Sequence, residues 1–156
     1  PGIMYRRAAE QRLRQYLVDN NFVEAVIQLP DNLFFGTSIA TCILVLKKGK
    51  RDNSVLFIDA TKECVKVTNN NKLTDANIAN VLKAFADRQT VKHFAALVPH
   101  EDIAAQDYNL SVSTYVEQED TREKIDIVQL EAELEEIVKR ENELRKAIDT
   151  IVKELR

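Results

Sequence analysis

The run Leu29-Pro30-Asp31-Asn32-Leu33-Phe34-Phe35-Gly36-Thr37-Ser38-Ile39-Ala40-Thr41-Cys42-Ile43-Leu44-Val45-Leu46 joins two strand-like segments through a loop of uncommon composition. Residues 41–47 are almost continuously apolar, the pattern of a strand buried on both faces. Residues 22–29 are rich in β-branched and aromatic side chains and stop at Pro30-Asp31-Asn32, so they too read as a strand. The joining stretch bears adjacent aromatics, a glycine and, counting Thr41 where the second strand begins, three hydroxyl residues. A turn that only reversed the chain would be shorter and more polar. At an exposed loop Phe34 and Phe35 could stack on a nucleobase, a contact worth roughly 1–3 kcal/mol per base. The alternative is that they pack beneath the sheet.

Upstream, Ala9, Leu13, Tyr16 and Leu17 recur at helical spacing, with Arg7, Arg12 and Arg14 off that face. This predicts a helix over residues 5–19, stopped by Asn20-Asn21, since asparagine tolerates the left-handed geometry of a helix end. Downstream, residues 47–53 read as a turn and 55–59 as a third strand. The polar run Thr68-Asn69-Asn70-Asn71-Lys72 reads as a loop. A helix capped by Thr74 or Asp75 follows, carrying Ile78, Val81, Leu82 and Phe85 on one face. Residues 94–98 suggest a short strand, 101–105 a helical turn and 107–112 an extended connection.

The last 36 residues differ in kind. Ile127, Leu130, Leu134, Ile137, Leu144, Ile148, Ile151 and Leu155 alternate spacings of three and four, with Glu141 in the one missing seam position. That is an a/d heptad pattern, and some 30 residues at 1.5 Å each give a helix about 45 Å long. So narrow a stripe wants a partner helix. Glu141 would weaken a symmetric pair and select register or partner instead, although the seam could still close on a second copy or on the core helices. The expected division is a domain over 1–116 and an assembly helix over 117–156.

Composition excludes several functions. Of 156 residues, 45% are hydrophobic and 30% charged, ordinary for a globular chain. No apolar run approaches a membrane span, and no signal peptide is visible at the start. Cys42 and Cys64 lack ligand spacing and fit a reducing cytoplasm. With Gly2, Gly36 and Gly49 far apart there is no glycine-rich nucleotide loop, and His93 and His100 form no zinc motif. Neither catalytic nor metal-ligating residues are expected. Charge is uneven: residues 1–52 hold eight Lys/Arg against five Asp/Glu, and residues 116–156 hold eight against thirteen. The basic front supplies the candidate phosphate contacts, Arg6, Arg7, Lys47, Lys48, Lys50 and Arg51, with Arg12 and Arg14 on the same segment.

The run Leu-Pro-x-x-Leu-Phe-x-Gly-Thr-x-Ile-x-Thr-Cys-Ile-Leu-Val-Leu resembles the distal catalytic-domain region of the modification (M) subunit of type I restriction–modification systems. Arg14-Gln15-Tyr16-Leu17, Val55-Leu56-Phe57-Ile58-Asp59-Ala60 and Asp107-Tyr108-Asn109-Leu110 followed by Tyr115 are similar to the same family. The resemblance implies an α/β fold, the C-terminal strands and helices of a Rossmann-like class I methyltransferase domain plus the long helix. It implies an adenine-N6 DNA methyltransferase using S-adenosylmethionine, with residues 22–29 and 41–47 as an antiparallel hairpin ending the sheet. On the joining loop Phe34 is the first and Phe35 the second candidate to stack on an adenine swung out of the duplex. The implied partners are the specificity (S) subunit, docked on the tail, the restriction (R) subunit, and DNA through the complex.

That family's Asp-Pro-x-x-Gly-x-Gly and Asn-Pro-Pro-aromatic segments are missing from this sequence. The expectation is therefore a C-terminal fragment, inactive alone and binding no cofactor itself. The rival readings are a stand-alone coiled-coil scaffold module and a non-catalytic DNA-binding protein. A fragment should leave one of the two strands with an unpaired apolar edge, whereas a complete module should close it.

Overall fold

The computed structural model describes residues 2–68, 70–119 and 127–154. A short 3₁₀ turn (Gly2–Met4) leads through α1 (Ala9–Asp19), β1 (Val23–Gln28), β2 (Cys42–Leu46), β3 (Ser54–Asp59), β4 (Val65–Val67) and β5 (Asn70–Lys72). Then come α2 (Asp75–Asp87), β6 (Ala95–Pro99), α3 (His100–Ala105), α4 (Val112–Tyr115) and α5 (Ile127–Glu154). Two compact units result, Pro1–Glu119 and Asp120–Arg156.

In the first unit the strand order is β2-β1-β3-β6. The β1–β2 pair is antiparallel, β1–β3 parallel and β3–β6 antiparallel. After β2 the chain therefore crosses the N-terminal end of β1 to start β3 on its other side. Val23, Val55 and Phe57 pack with Val18, Ile103, Leu110 and Val112 on one sheet face. On the other, Ala25, Ile27, Leu56 and Ile58 meet Ala84, Val81 and Phe85 of α2. Alternating side chains of β1 and β3 thus enter two cores, which is why both strands are buried throughout. Thr74 caps α2: its hydroxyl accepts from the Asn77 backbone N–H, and Asn77 reciprocates to the Thr74 N–H.

Several expectations need correction. Residues 41–47 were to be buried on both faces, but β2 is an edge strand among the described residues, with Ile43 and Leu46 exposed. The helix expected over 5–19 begins at Ala9, because Ala8 takes φ 66°, which no α-helix continues. Its inward face is also different. Leu13 and Tyr16 are exposed, whereas Arg14 is buried beside Val18. On α2, Ile78 and Leu82 likewise face out. The asparagine run is not a plain loop: Asn70–Lys72 pairs with Val65–Val67 as an antiparallel hairpin. Nor is 107–112 extended, since Asp107 and Tyr108 are both left-handed (φ 55° and 56°) and α4 begins at Val112.

In the second unit α5 runs for 28 residues. Leu134, Ile137, Leu144 and Ile148 of the expected seam are exposed, as is Val138. Glu141 pairs with Arg145 one turn on, at 3.4 Å. The side chains of Leu130 and Ile151, and Leu155 altogether, lie outside the described residues. Among the described residues no helix is long and apolar enough to cross a membrane.

Candidate nucleic-acid interface

The aromatic loop leaves the C-terminal end of β1, beside the C-terminal end of the parallel β3. Open α/β sheets place their ligand crevices at such strand ends. Pro30 and Leu29 anchor its start in the core, and the Leu29 N–H donates to the Thr41 carbonyl at 2.9 Å, closing its base. Farther out, the Thr37 N–H reaches the Phe34 carbonyl at 3.4 Å across a turn whose third residue, Gly36, has φ 78°. Glycine is needed there for the dihedral rather than for room, because a Cβ would meet nothing within 4 Å. Phe35 stands at the apex of this turn. Its side chain is 98% exposed and that of Phe34 is 51% exposed, so neither ring packs beneath the sheet. Ile39 adds a third exposed apolar side chain.

The β4–β5 hairpin braces the loop from the side. The Asn71 N–H donates to the Asn32 carbonyl at 2.9 Å. The Asn71 side-chain amide donates to the Asp31 carbonyl and carboxylate, each at 2.9 Å. Asn32 itself takes a left-handed φ of 47°. Nearby, Asp59 ends β3 as a buried carboxylate whose Oδ1 accepts from the Thr61 N–H (3.0 Å) and hydroxyl (2.6 Å). These contacts fix the turn that leads towards the hairpin. Neither Asn71 nor Asp59 was singled out for a site from sequence, and only the β5 pairing brings Asn71 to residues forty positions away.

The basic turn lies at the other end of the sheet, because Leu46 pairs with Val23 whereas Cys42 pairs with Gln28. Six residues of strand, roughly 20 Å, separate it from the aromatics. Lys47, Lys48 and Arg51 are exposed, with Lys47 3.7 Å from Glu24. Lys50 was expected to face phosphates but turns inward. Its ammonium donates to the carbonyls of Val23 (2.6 Å) and Ser54 (2.7 Å), tying the first residues of β1 and β3 together. Burial lowers its pKa. Arg88 completes this end, bridging the buried Glu24 at 2.6 Å and Asp52 at 3.1 Å. Arg6 is exposed, and Arg7 lines a polar cavity of about 240 Å³ with Gln11, Gln106 and Asp107.

Arg14 is a structural cation. At 3% exposure it donates to the carbonyls of Ile3, Arg6 and Tyr108, each at 2.7 Å. The Asp107-Tyr108-Asn109-Leu110 segment works as a clasp around it. The Leu110 N–H donates to the Met4 carbonyl at 2.8 Å, and the Tyr115 hydroxyl to the Asn109 carbonyl at 2.6 Å. His100 meets Asp19 at 3.0 Å, a contact that lowers the Asp19 pKa, and His93 contacts the Glu117 carbonyl. Among the described residues no three His, Cys, Asp or Glu side chains gather to hold a metal ion.

Comparison with known proteins gives this geometry a context. Residues 1–124 match the family described as N-6 DNA Methylase. The sequence is 43% identical over 157 residues to the type I restriction enzyme MpnII methylase subunit of Mycoplasma pneumoniae, an alignment covering 100% of this chain and 29% of that protein. It is 35% identical over 142 residues to the MjaVIII methylase subunit of Methanocaldococcus jannaschii, covering 87% of this chain and 25% of the relative. The chain thus spans less than a third of the length of either. Among solved structures it is similar to the methyltransferase subunit of a type I restriction–modification system from Streptococcus thermophilus, at 41% identity and a TM-score of 0.74. That superposition covers 76% of this chain and 25% of the other. A structure from a study of type I complex assembly shares the fold at 16% identity and a TM-score of 0.57, over 96% of this chain and 34% of that one.

Proposed function

The chain belongs to the N-6 DNA methylase family, among the methylase subunits of type I restriction–modification systems, and from that premise we propose that it forms the target-base side of an adenine-N6 DNA methyltransferase. The rest of the subunit supplies S-adenosylmethionine and the reacting groups. Gly2, Gly36 and Gly49 stand far apart in the sequence and form no glycine-rich segment of the kind that cradles such a cofactor. No step through the cofactor is assigned to this chain.

The observation that carries the proposal is the pair of solvent-facing rings at the C-terminal end of the parallel strands. An exposed Phe at the apex of a closed turn gains stability when a flat π-surface covers it, and an extrahelical adenine is such a surface. The ring stacks on the base and holds the exocyclic amine where transfer takes place. Arg6, Arg7, Lys47, Lys48 and Arg51 form a second, electrostatic contribution against phosphates, with Lys50 left out because its ammonium already ties two strands. The exposed stripe of α5 docks on long helices of the specificity subunit, and the restriction subunit joins that complex.

The test replaces Phe34 and Phe35 by Ala one at a time in the full-length subunit assembled with its specificity partner. Loss of one stacking contact lowers methylation about 5- to 150-fold, the range that roughly 1–3 kcal/mol spans, and leaves assembly intact. The variant that loses activity identifies the stacking ring. Native turnover in both would end the proposal.

A further inference from the structure

We infer that Asn71 is the positioning residue of the aromatic loop. Through it the β4–β5 hairpin holds Phe34 and Phe35 in a preset orientation towards a base. The inference rests on the stacking role proposed above and deepens it.

Loop residues 31–37 have few internal restraints. After the base is closed at Leu29, the next backbone bond inside the loop is the long Thr37–Phe34 contact. Between those points, three hydrogen bonds of 2.9 Å fix the chain, and all three come from Asn71: one from its backbone N–H to Asn32, two from its side chain to Asp31. They hold Asp31 and Asn32, three and two residues before the first aromatic. Asn32 sits at a left-handed φ of 47°, a conformation asparagine tolerates better than most side chains, and the Asn71 contacts hold it there. The side-chain amide also chelates one residue through two oxygens, so it sets direction as well as distance. A stacking ring aimed in advance loses less entropy on meeting its base than one on a free loop.

The hairpin has little else to explain it. It is two three-residue strands with Val65 and Val67 exposed, too small to form a core of its own. Among the described residues its polar contacts to the rest of the unit gather at Asn71, while the adjoining Glu63 is held by Asn77 and Asn80. The ribbon is therefore anchored on one side by α2 and on the other grips the loop.

The experiment uses the full-length subunit in its assembled complex, with 2-aminopurine in place of the target adenine. Asn71→Asp sets a carboxylate against that of Asp31 and removes both side-chain hydrogen bonds, while the backbone bond to Asn32 survives. Adding Asp31→Asn returns an amide donor opposite a carboxylate. The expected result is a fall in kcat of about tenfold for Asn71→Asp, because small misplacement of a positioning group costs that much or more. The 2-aminopurine signal on binding should change as it does for the stacking-ring variant. KM for DNA and the melting temperature stay near native. The double variant restores both signal and kcat to within about threefold, one charge-assisted bond having returned. Native behaviour of Asn71→Asp overturns the inference, and so does failure of the double variant to recover. Phe34→Ala and Phe35→Ala run alongside: if neither alters the signal, the stacking reading itself fails. If one does while Asn71→Asp does not, only the positioning role is lost.

Discussion

Tyr115 shows what a single residue contributes when burial and hydrogen bonding act together. Its ring lies 4.3 Å from that of Phe57, centroid to centroid, and its hydroxyl donates to the Asn109 carbonyl at 2.6 Å. Burial pushes its pKa up to about 12. The folded state therefore keeps a proton that the unfolded chain releases near pH 10. The resulting stability is complete below that value and declines as pH rises from about 10 to about 12. Tyr115→Phe should remove this share of the alkaline slope and cost about 1 kcal/mol at neutral pH, since the Asn109 carbonyl loses its donor. Urea unfolding of the isolated unit from pH 7 to 11 checks both, and an unchanged alkaline slope would contradict the assignment. Arg14 is the counterpart at the opposite pole of charge. A guanidinium with three carbonyl acceptors can be buried without a carboxylate, but its sequence position on a helix gives no sign of those carbonyls, one of which lies 94 residues away.

At the level of elements, the 47–53 turn separates two kinds of basic residue. Lys50 holds the crossing over β1 together, whereas Lys48 and Arg51 point to solvent. Lys50→Met should destabilise the unit by about 1–3 kcal/mol by stranding two carbonyls. Lys48→Ala and Arg51→Ala should leave stability within about 0.5 kcal/mol and instead reduce the salt dependence of DNA binding by the assembled subunit. Denaturant midpoints and binding titrations at several salt concentrations separate the two effects; equal destabilisation by all three would refute the distinction. The same contrast explains what was legible beforehand. Strands β1, β2 and β3 announce themselves by apolar runs, and Thr74 by its capping chemistry, because those signals are local. Phe34 and Phe35 stand out because apolar rings in a loop need a reason. The neighbours of each element are another matter. Edge position of β2, the inward face of α1 and the grip of Asn71 on Asp31 depend on residues brought close only by strand order. The left-handed pair Asp107-Tyr108 escapes notice because neither is glycine.

For the whole molecule, exposed apolar surface gathers on features that a larger assembly would cover. β2 offers Ile43 and Leu46 along an edge unpaired among the described residues, and α5 offers Leu134, Ile137, Leu144 and Ile148 along one seam. An edge of that kind promotes association unless another strand or subunit covers it. The helix makes the sharper case. Four large apolar side chains more than half exposed on a 28-residue helix cost solubility with no return inside their own unit. Changing Leu144 and Ile148 together to Lys alters no residue of the two cores of the first unit. The full-length subunit carrying both changes should lose co-purification with its specificity partner, as should a form lacking residues 121–156, while its melting transition for the α/β unit stays in place. A seam that served self-association instead would show the opposite pattern: the sedimentation of the subunit alone would shift to a smaller species, and the complex with the specificity partner would survive.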